Sequence, residues 1–164
     1  MQRSIKLTTK PIWQDIEKIR IRSNDFLITH GLSTDTVNAV TMIISELVEN
    51  SIKYGCFQNS KNKVEVNISI ADDDITVEVI NPFDDTVHSH LKRLDRTIQW
   101  IRGYQDPFEA YIERMKKVSR KPIADEESGL GLVRIAYEGG AILDFYLNDT
   151  GMLNVSTISK SKRN

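Results

Sequence analysis

A single cysteine, Cys56, stands in 164 residues. That excludes an internal disulfide and any zinc cage built from several cysteines. Neither sign of charge is in excess: 22 Lys and Arg face 23 Asp and Glu, a formal net charge of -1. Such a balance gives no electrostatic case for a nucleic acid or an anionic membrane as partner. No apolar run approaches the roughly 20 residues of a membrane span. The opening MQRSIKLTTK lacks the apolar core of a signal peptide. Internal repeats and low-complexity segments are missing too. What is there is 40% apolar and 27% charged, a globular composition. One domain over 1–164 is expected. At this size it buries about two-thirds of its unfolded surface without staples. A cytoplasmic setting is expected.

Ile5 and Leu7 alternate with polar neighbours in RSIKLTT and predict a strand. Pro11 predicts a helix start, with Ile12, Ile16 and Ile19 at helical spacing and Gly31-Leu32 as its C-cap. Ser33 is the expected N-cap of a second helix ending near Gly55. Val37, Val40, Ile44, Leu47 and Ser51 fall on one stripe of it. KVEVNISI and ITVEV alternate strictly around Asp72-Asp73-Asp74 and predict an antiparallel hairpin. Asn81-Pro82 is a turn signal, and beyond it the pattern breaks down until Ser128. Two amphipathic helical pieces are expected in that stretch. One runs near Leu91 to Ile101; the other opens at Asp106-Pro107-Phe108-Glu109, with Asp106 as cap. Residues 82–128 as a whole read as an ordered lid. A helix ended by Gly139-Gly140 and a final hairpin follow, and the basic tail SKSKRN is expected to fray. Strands joined by hairpins argue for an α+β two-layer sandwich. Its helices cover one face of a mixed, mostly antiparallel sheet.

Two patterns carry chemistry. Glu46, Asn50 and Lys53 stand at i, i+4 and i+7 of the second helix and share one face, apart from the apolar stripe. An amide oxygen is a hard ligand suited to Mg²⁺. An ammonium meets phosphate as a point charge, and a carboxylate can orient or deprotonate a hydroxyl. Taken alone, such a triplet is an ordinary solvated face. In Ser128-Gly129-Leu130-Gly131-Leu132, two glycines precede a helix whose free N–H groups and dipole favour an anion. Alone, this too is only a tight turn. His88 and His90 form His-X-His without a third ligand nearby. Cys56 reads as a packed small hydrophobe, and Trp13, Trp100, Tyr104 and Phe108 as core and lid packing. Arg114, Lys116, Lys117, Arg120 and Lys121 read as a solvated basic face.

In this order, SELVENSIKYG, a hairpin, a lid and SGLGL together resemble the GHKL ATPase superfamily, with its Bergerat fold. The similarity is greatest to the anti-sigma-factor serine/threonine kinases of partner-switching systems. It covers nearly the whole chain apart from the lid. ELVENSIKYG resembles the N-box, which implies Glu46 as general base, Asn50 as Mg²⁺ ligand and Lys53 near the phosphates. SGLGL resembles the second glycine box, so Ser128, Gly129, Leu130 and Gly131 are implied to hold the phosphates. The implied cofactors are ATP and Mg²⁺. The implied activity is phosphorylation of a small STAS-type or similar antagonist protein, and a homodimer is the implied assembly.

The chain departs from that pattern at VINPFDD. The family expects an Asp that accepts from the adenine amine, then spaced glycines. Here Asn81 occupies the Asp position, a neutral acceptor, and Pro82 and Phe83 replace the glycines. Asp84 and Asp85 are candidate displaced substitutes, or solvated acids of the turn. The departure motivates a second reading, a non-catalytic module sequestering a regulator such as a sigma factor. A conformational ATPase of the gyrase or chaperone kind ranks last, since those couple the fold to further domains.

Overall fold

The computed structural model describes residues 3–59, 61–84, 88–120 and 129–163. Five strands form one sheet: β1 (Arg3–Thr9), β2 (Val64–Ala71), β3 (Asp74–Pro82), β4 (Ile142–Leu147) and β5 (Met152–Lys160). Their order is β1-β2-β3-β5-β4, and every pairing is antiparallel. The helices are α1 (Ile16–Thr29), α2 (Thr34–Tyr54), α3 (His88–Arg102), α4 (Pro107–Ser119) and α5 (Leu130–Tyr137). The expected α+β two-layer sandwich is what forms. Among the described residues, no helix is long and apolar enough to cross a membrane.

Alternation decides which side of the sheet is covered. Val64, Val66, Ile68 and Ile70 of β2 and Ile75, Val77 and Val79 of β3 are buried on one face. Glu65, Asn67 and Glu78, on the other, are only partly covered. The apolar stripe of α2, Val37, Val40, Ile44 and Leu47, packs onto the buried face together with Ile19 and Leu27 of α1 and Val133 and Ile135 of α5. α3 joins the same core through Ile98 and Ile101. The first piece of the expected lid is therefore anchored, while α4 packs chiefly on α5.

Three local expectations change. The first helix does not begin at Pro11: Ile12 is extended, Trp13–Asp15 form a 3-10 turn, and α1 starts at Ile16. Pro82 is not a turn residue but the last residue of a central strand. Its neighbour Phe83 donates from N–H to the Gly151 carbonyl, toward β5. Alternation then points the Pro82 nitrogen the other way, past the start of β2, where no ladder acceptor waits. The C-terminal tail is tied down rather than frayed. Ser33 N–H donates to the Lys162 carbonyl at 2.9 Å, and Leu32 bridges to Arg163.

Other expectations hold as local chemistry. Ser33 Oγ accepts from Thr36 N–H at 3.3 Å at the start of α2, and Asp106 accepts from Phe108 N–H at 2.9 Å at the start of α4. Gly31 takes φ of 75° and delivers buried Leu32 back toward Leu27. Ile44, fully buried midway along α2, couples that helix to the sheet. Ile44→Ala is expected to lower the unfolding free energy by about 2–5 kcal/mol. Urea titration should show a lower midpoint at unchanged slope.

Candidate functional site

α2 is held by its cap at one end and by the Gly55 N–H bond to the Ser51 carbonyl at the other. Its apolar stripe fixes its rotation, and that rotation decides what the next stripe faces. Glu46, Glu49, Asn50 and Lys53 line a cavity of about 530 Å³. β3 and β5 supply its floor through Asn81, Leu153 and Val155, with Phe83 just past the end of β3. α3 supplies one wall through Leu91, Leu94 and Thr97. Gly129 and Gly131, at the start of α5, close one end beside Arg114. The cavity lies within the usual range of roughly 300–1,000 Å³ for small-molecule sites.

Glu46, Asn50, Lys53, Asn81, Gly129 and Gly131 thus converge, whereas Leu130 packs against the hydrophobic core; Ser128, like Asp85 and Lys121, lies outside the described residues. Lys53 is exposed, with Nζ 5.2 Å from the Tyr54 ring centroid. His90 packs against the same ring, centroids 4.5 Å apart. Burial, then the positive charges of Arg93 and Lys53, hold His90 below the usual imidazole range. Among the described residues no group of three His, Cys, Asp or Glu is placed to hold a metal ion.

Glu46 is the best-defined group. Arg134 of α5 donates from Nη1 to its Oε1 at 2.8 Å, and donates from Nε to Glu138 Oε2 at 3.0 Å. The other oxygen, Oε2, lies against Gly131, where a Cβ would collide with it. The second glycine therefore does something the sequence did not suggest: it makes room for a carboxylate of the same chain. Burial pushes the Glu46 carboxyl above its usual range; Arg134 opposes this, and Glu49 adds to it.

At the neighbouring glycine, φ is 64°, and a Cβ would come within 3.2 Å of Arg114 Nη1. Arg114 was expected on a solvated face. It turns inward instead, its guanidinium 4.8 Å from the Trp100 ring centroid, with Lys117 5.3 Å from the same ring. Burial lowers its pKa, yet a guanidinium stays charged in proteins. The signal was available: Arg114 follows buried Ala110 by four residues, one helical turn on the covered side. Trp13, expected in the core, is instead 55% exposed at the cavity mouth.

Asn81 is buried on the cavity floor, and its Nδ2 donates to the Pro82 carbonyl at 2.9 Å. That leaves the amide oxygen as the acceptor it can offer. Asp84 is no substitute for it. It lines a separate depression, accepting from Cys56 Sγ at 2.8 Å and from Gln58 Nε2 at 3.4 Å. The bond to Asp84, foremost, pushes the Cys56 thiol up, so this cysteine is no activated nucleophile.

No protein-family model and no curated protein matches the chain. Solved structures do. The SiaB-SiaC complex from Pseudomonas aeruginosa aligns with TM-score 0.71 at 18% identity, covering 94% of this chain and 88% of that one. The RsbU and RsbW domains of Rv1364c from Mycobacterium tuberculosis align with TM-score 0.59 at 13% identity. The match covers 99% of this chain but only 33% of that one. At these identities the likeness is one of fold. The fold read from the GHKL resemblance is the fold found.

Gly131 tests the steric reading. In a free helix, Gly to Ala adds roughly 1 kcal/mol of stability. Here the added methyl meets Glu46, and overpacking costs about 1–3 kcal/mol, so Gly131→Ala is expected to be neutral to destabilising in urea titration. A clear gain in stability would mean that Glu46 swings aside freely. Glu46 itself carries a pH signature. Its folded pKa is raised above the unfolded value, so folding favours its protonated form. Wild type loses stability as pH rises through the interval between the two values, and Glu46→Gln does not. The melting temperature of the variant minus that of wild type should rise with pH across that interval and then level. A flat difference would contradict the raised pKa.

Proposed function

We propose that the chain is an ATP-dependent serine/threonine protein kinase of a partner-switching system. Its proposed substrate is a small antagonist protein of the STAS type. The observation that carries this reading is the convergence of Glu46, Asn50, Asn81, Gly129 and Gly131 on one cavity from three separate elements. The donor set suits a magnesium nucleotide. Asn50 offers an amide oxygen to Mg²⁺. Gly129 and Gly131 bring the backbone at the start of α5 to the cavity wall, where a phosphate would meet its N–H groups. Asn81 offers an acceptor to an exocyclic amine. When bound, the metal neutralises phosphate charge.

Glu46 takes the proton of the acceptor hydroxyl as its oxygen bonds to the terminal phosphorus and the bond to the bridging oxygen breaks. Lys53 and Arg114 supply positive charge around the cavity. A phosphoryl group on the acceptor adds nearly two negative charges, enough to break an interface. That a chain of similar fold is solved in the SiaB-SiaC complex supports a protein partner.

Phe83 favours a second reading. It is buried in the cavity floor, and its N–H is fixed to Gly151 at the place where the family carries glycines. A stiffened floor suits a module that sequesters a regulator, a sigma factor for example, without nucleotide. Calorimetric titration separates the two. ATP and ADP are expected to bind wild type in a Mg²⁺-dependent manner, and Asn50→Ala is expected to lose the metal dependence. No binding at millimolar nucleotide would sink the kinase reading and favour sequestration.

A further inference from the structure

We infer that Arg134 is the positioning residue for Glu46, clamping one carboxylate oxygen so that the other is presented at the start of α5. This inference rests on the reading of Glu46 as the group that takes the acceptor's proton. The geometry is a relay across three side chains. Glu138, one turn on from Arg134, accepts from Nε at 3.0 Å and fixes the plane of the guanidinium. Nη1 of that plane then meets Glu46 Oε1 at 2.8 Å. Oε2 is left beside the bare Cα of Gly131, where a side chain would collide with it.

A salt bridge between two helices could be no more than a tie. The exposures argue for more. Arg134 and Glu138 side chains are 37% and 38% exposed, and Glu46 only 19%. The bridge runs from the surface inward and ends on the least accessible group. Half-exposed pairs contribute little to stability, whereas a fork held at both ends fixes a direction. Arg134 is also the largest influence opposing the burial of Glu46, and so favours the charged, proton-accepting form. The same helix that presents Gly129 and Gly131 thus also sets the orientation of Glu46. A displacement of α5 at its N-terminus is felt at the carboxylate.

The test uses the full chain, MgATP and water as acceptor, with release of inorganic phosphate as the readout. Arg134→Met is expected to lower kcat by about 10–100-fold, a share of the 10²–10⁴ that general-base catalysis supplies. KM for MgATP should stay within about twofold, because the ground-state contacts of the nucleotide are untouched. Arg134→Lys should recover part of the loss, since it keeps the charge but not the fork. In a Glu46→Gln background, Arg134→Met should have no further effect on kcat. Without nucleotide, the melting shifts of the two single variants should fail to add in the double variant. A wild-type kcat in Arg134→Met, an equal loss in both backgrounds, or additive melting shifts each overturn the inference. If Glu46→Gln turns over like wild type, the reading of Glu46 fails and this inference with it; if wild type releases no phosphate to water, the melting shifts decide, and additive shifts overturn the inference. If Glu46→Gln is inactive while Arg134→Met is not, only the inference falls.

Discussion

A carboxylate placed in a half-buried space between two helices has to be accommodated twice, once sterically and once electrostatically. Glu46 is the group around which α2 and α5 are fitted. Gly131 removes the side chain that would occupy its Oε2, and Arg134 supplies the charge that burial withholds. Both come from α5, three residues apart, so one short helix meets both demands. Neither alone suffices. A glycine without the arginine leaves a carboxylate whose pKa burial drives upward. An arginine without the glycine leaves no room for the carboxylate.

The sheet makes this meeting possible. α2 sits on β2 and β3 through its apolar stripe, and α5 reaches the same core through Val133 and Ile135. Rotating either helix by one residue, 100°, would carry Glu46 or Arg134 off the shared seam. The register is therefore set by apolar positions that take no part in the chemistry. α3 extends the seam: Ile98 and Ile101 fasten it to the core, so that Leu91 and Leu94 wall the cavity. α4 then returns along α5, with Phe108 and Tyr111 on Tyr137, and this return carries Arg114 to Gly129.

Much of this was legible in the chain. Strict alternation located the central strands, and Ser33, Gly31 and Asp106 located helix ends, because these are local rules of sterics and hydrogen bonding. The face shared by Glu46, Asn50 and Lys53 follows from helical spacing alone. Arg134 was not legible as a partner of Glu46, because 88 residues separate them and only the fold brings them together. Arg114 was half legible, since its phase on α4 pointed inward while its charge suggested the surface. Pro82 was misread for a sound reason. Proline breaks a ladder only where its nitrogen faces a partner strand, and that direction is invisible until the neighbours are paired.

The end of β3 rewards a closer physical reading. The Pro82 carbonyl accepts twice, from Cys56 N–H at 2.9 Å and from Asn81 Nδ2 at 2.9 Å. One residue thus closes the strand, anchors the segment leaving α2 and holds the nitrogen end of the Asn81 amide. An aspartate there would present the same acceptor geometry with a charge, but position 81 is only 2% exposed. Desolvating an unpaired carboxylate at such a site costs several kcal/mol, whereas an amide held by a carbonyl carries no such penalty. On the proposed reading, the chain keeps an acceptor for an adenine amine while avoiding a buried charge. The acceptor is weaker for being neutral. On that same reading the amide oxygen matches the amino donor of an adenine, whereas a guanine would bring its O6 acceptor to the same oxygen.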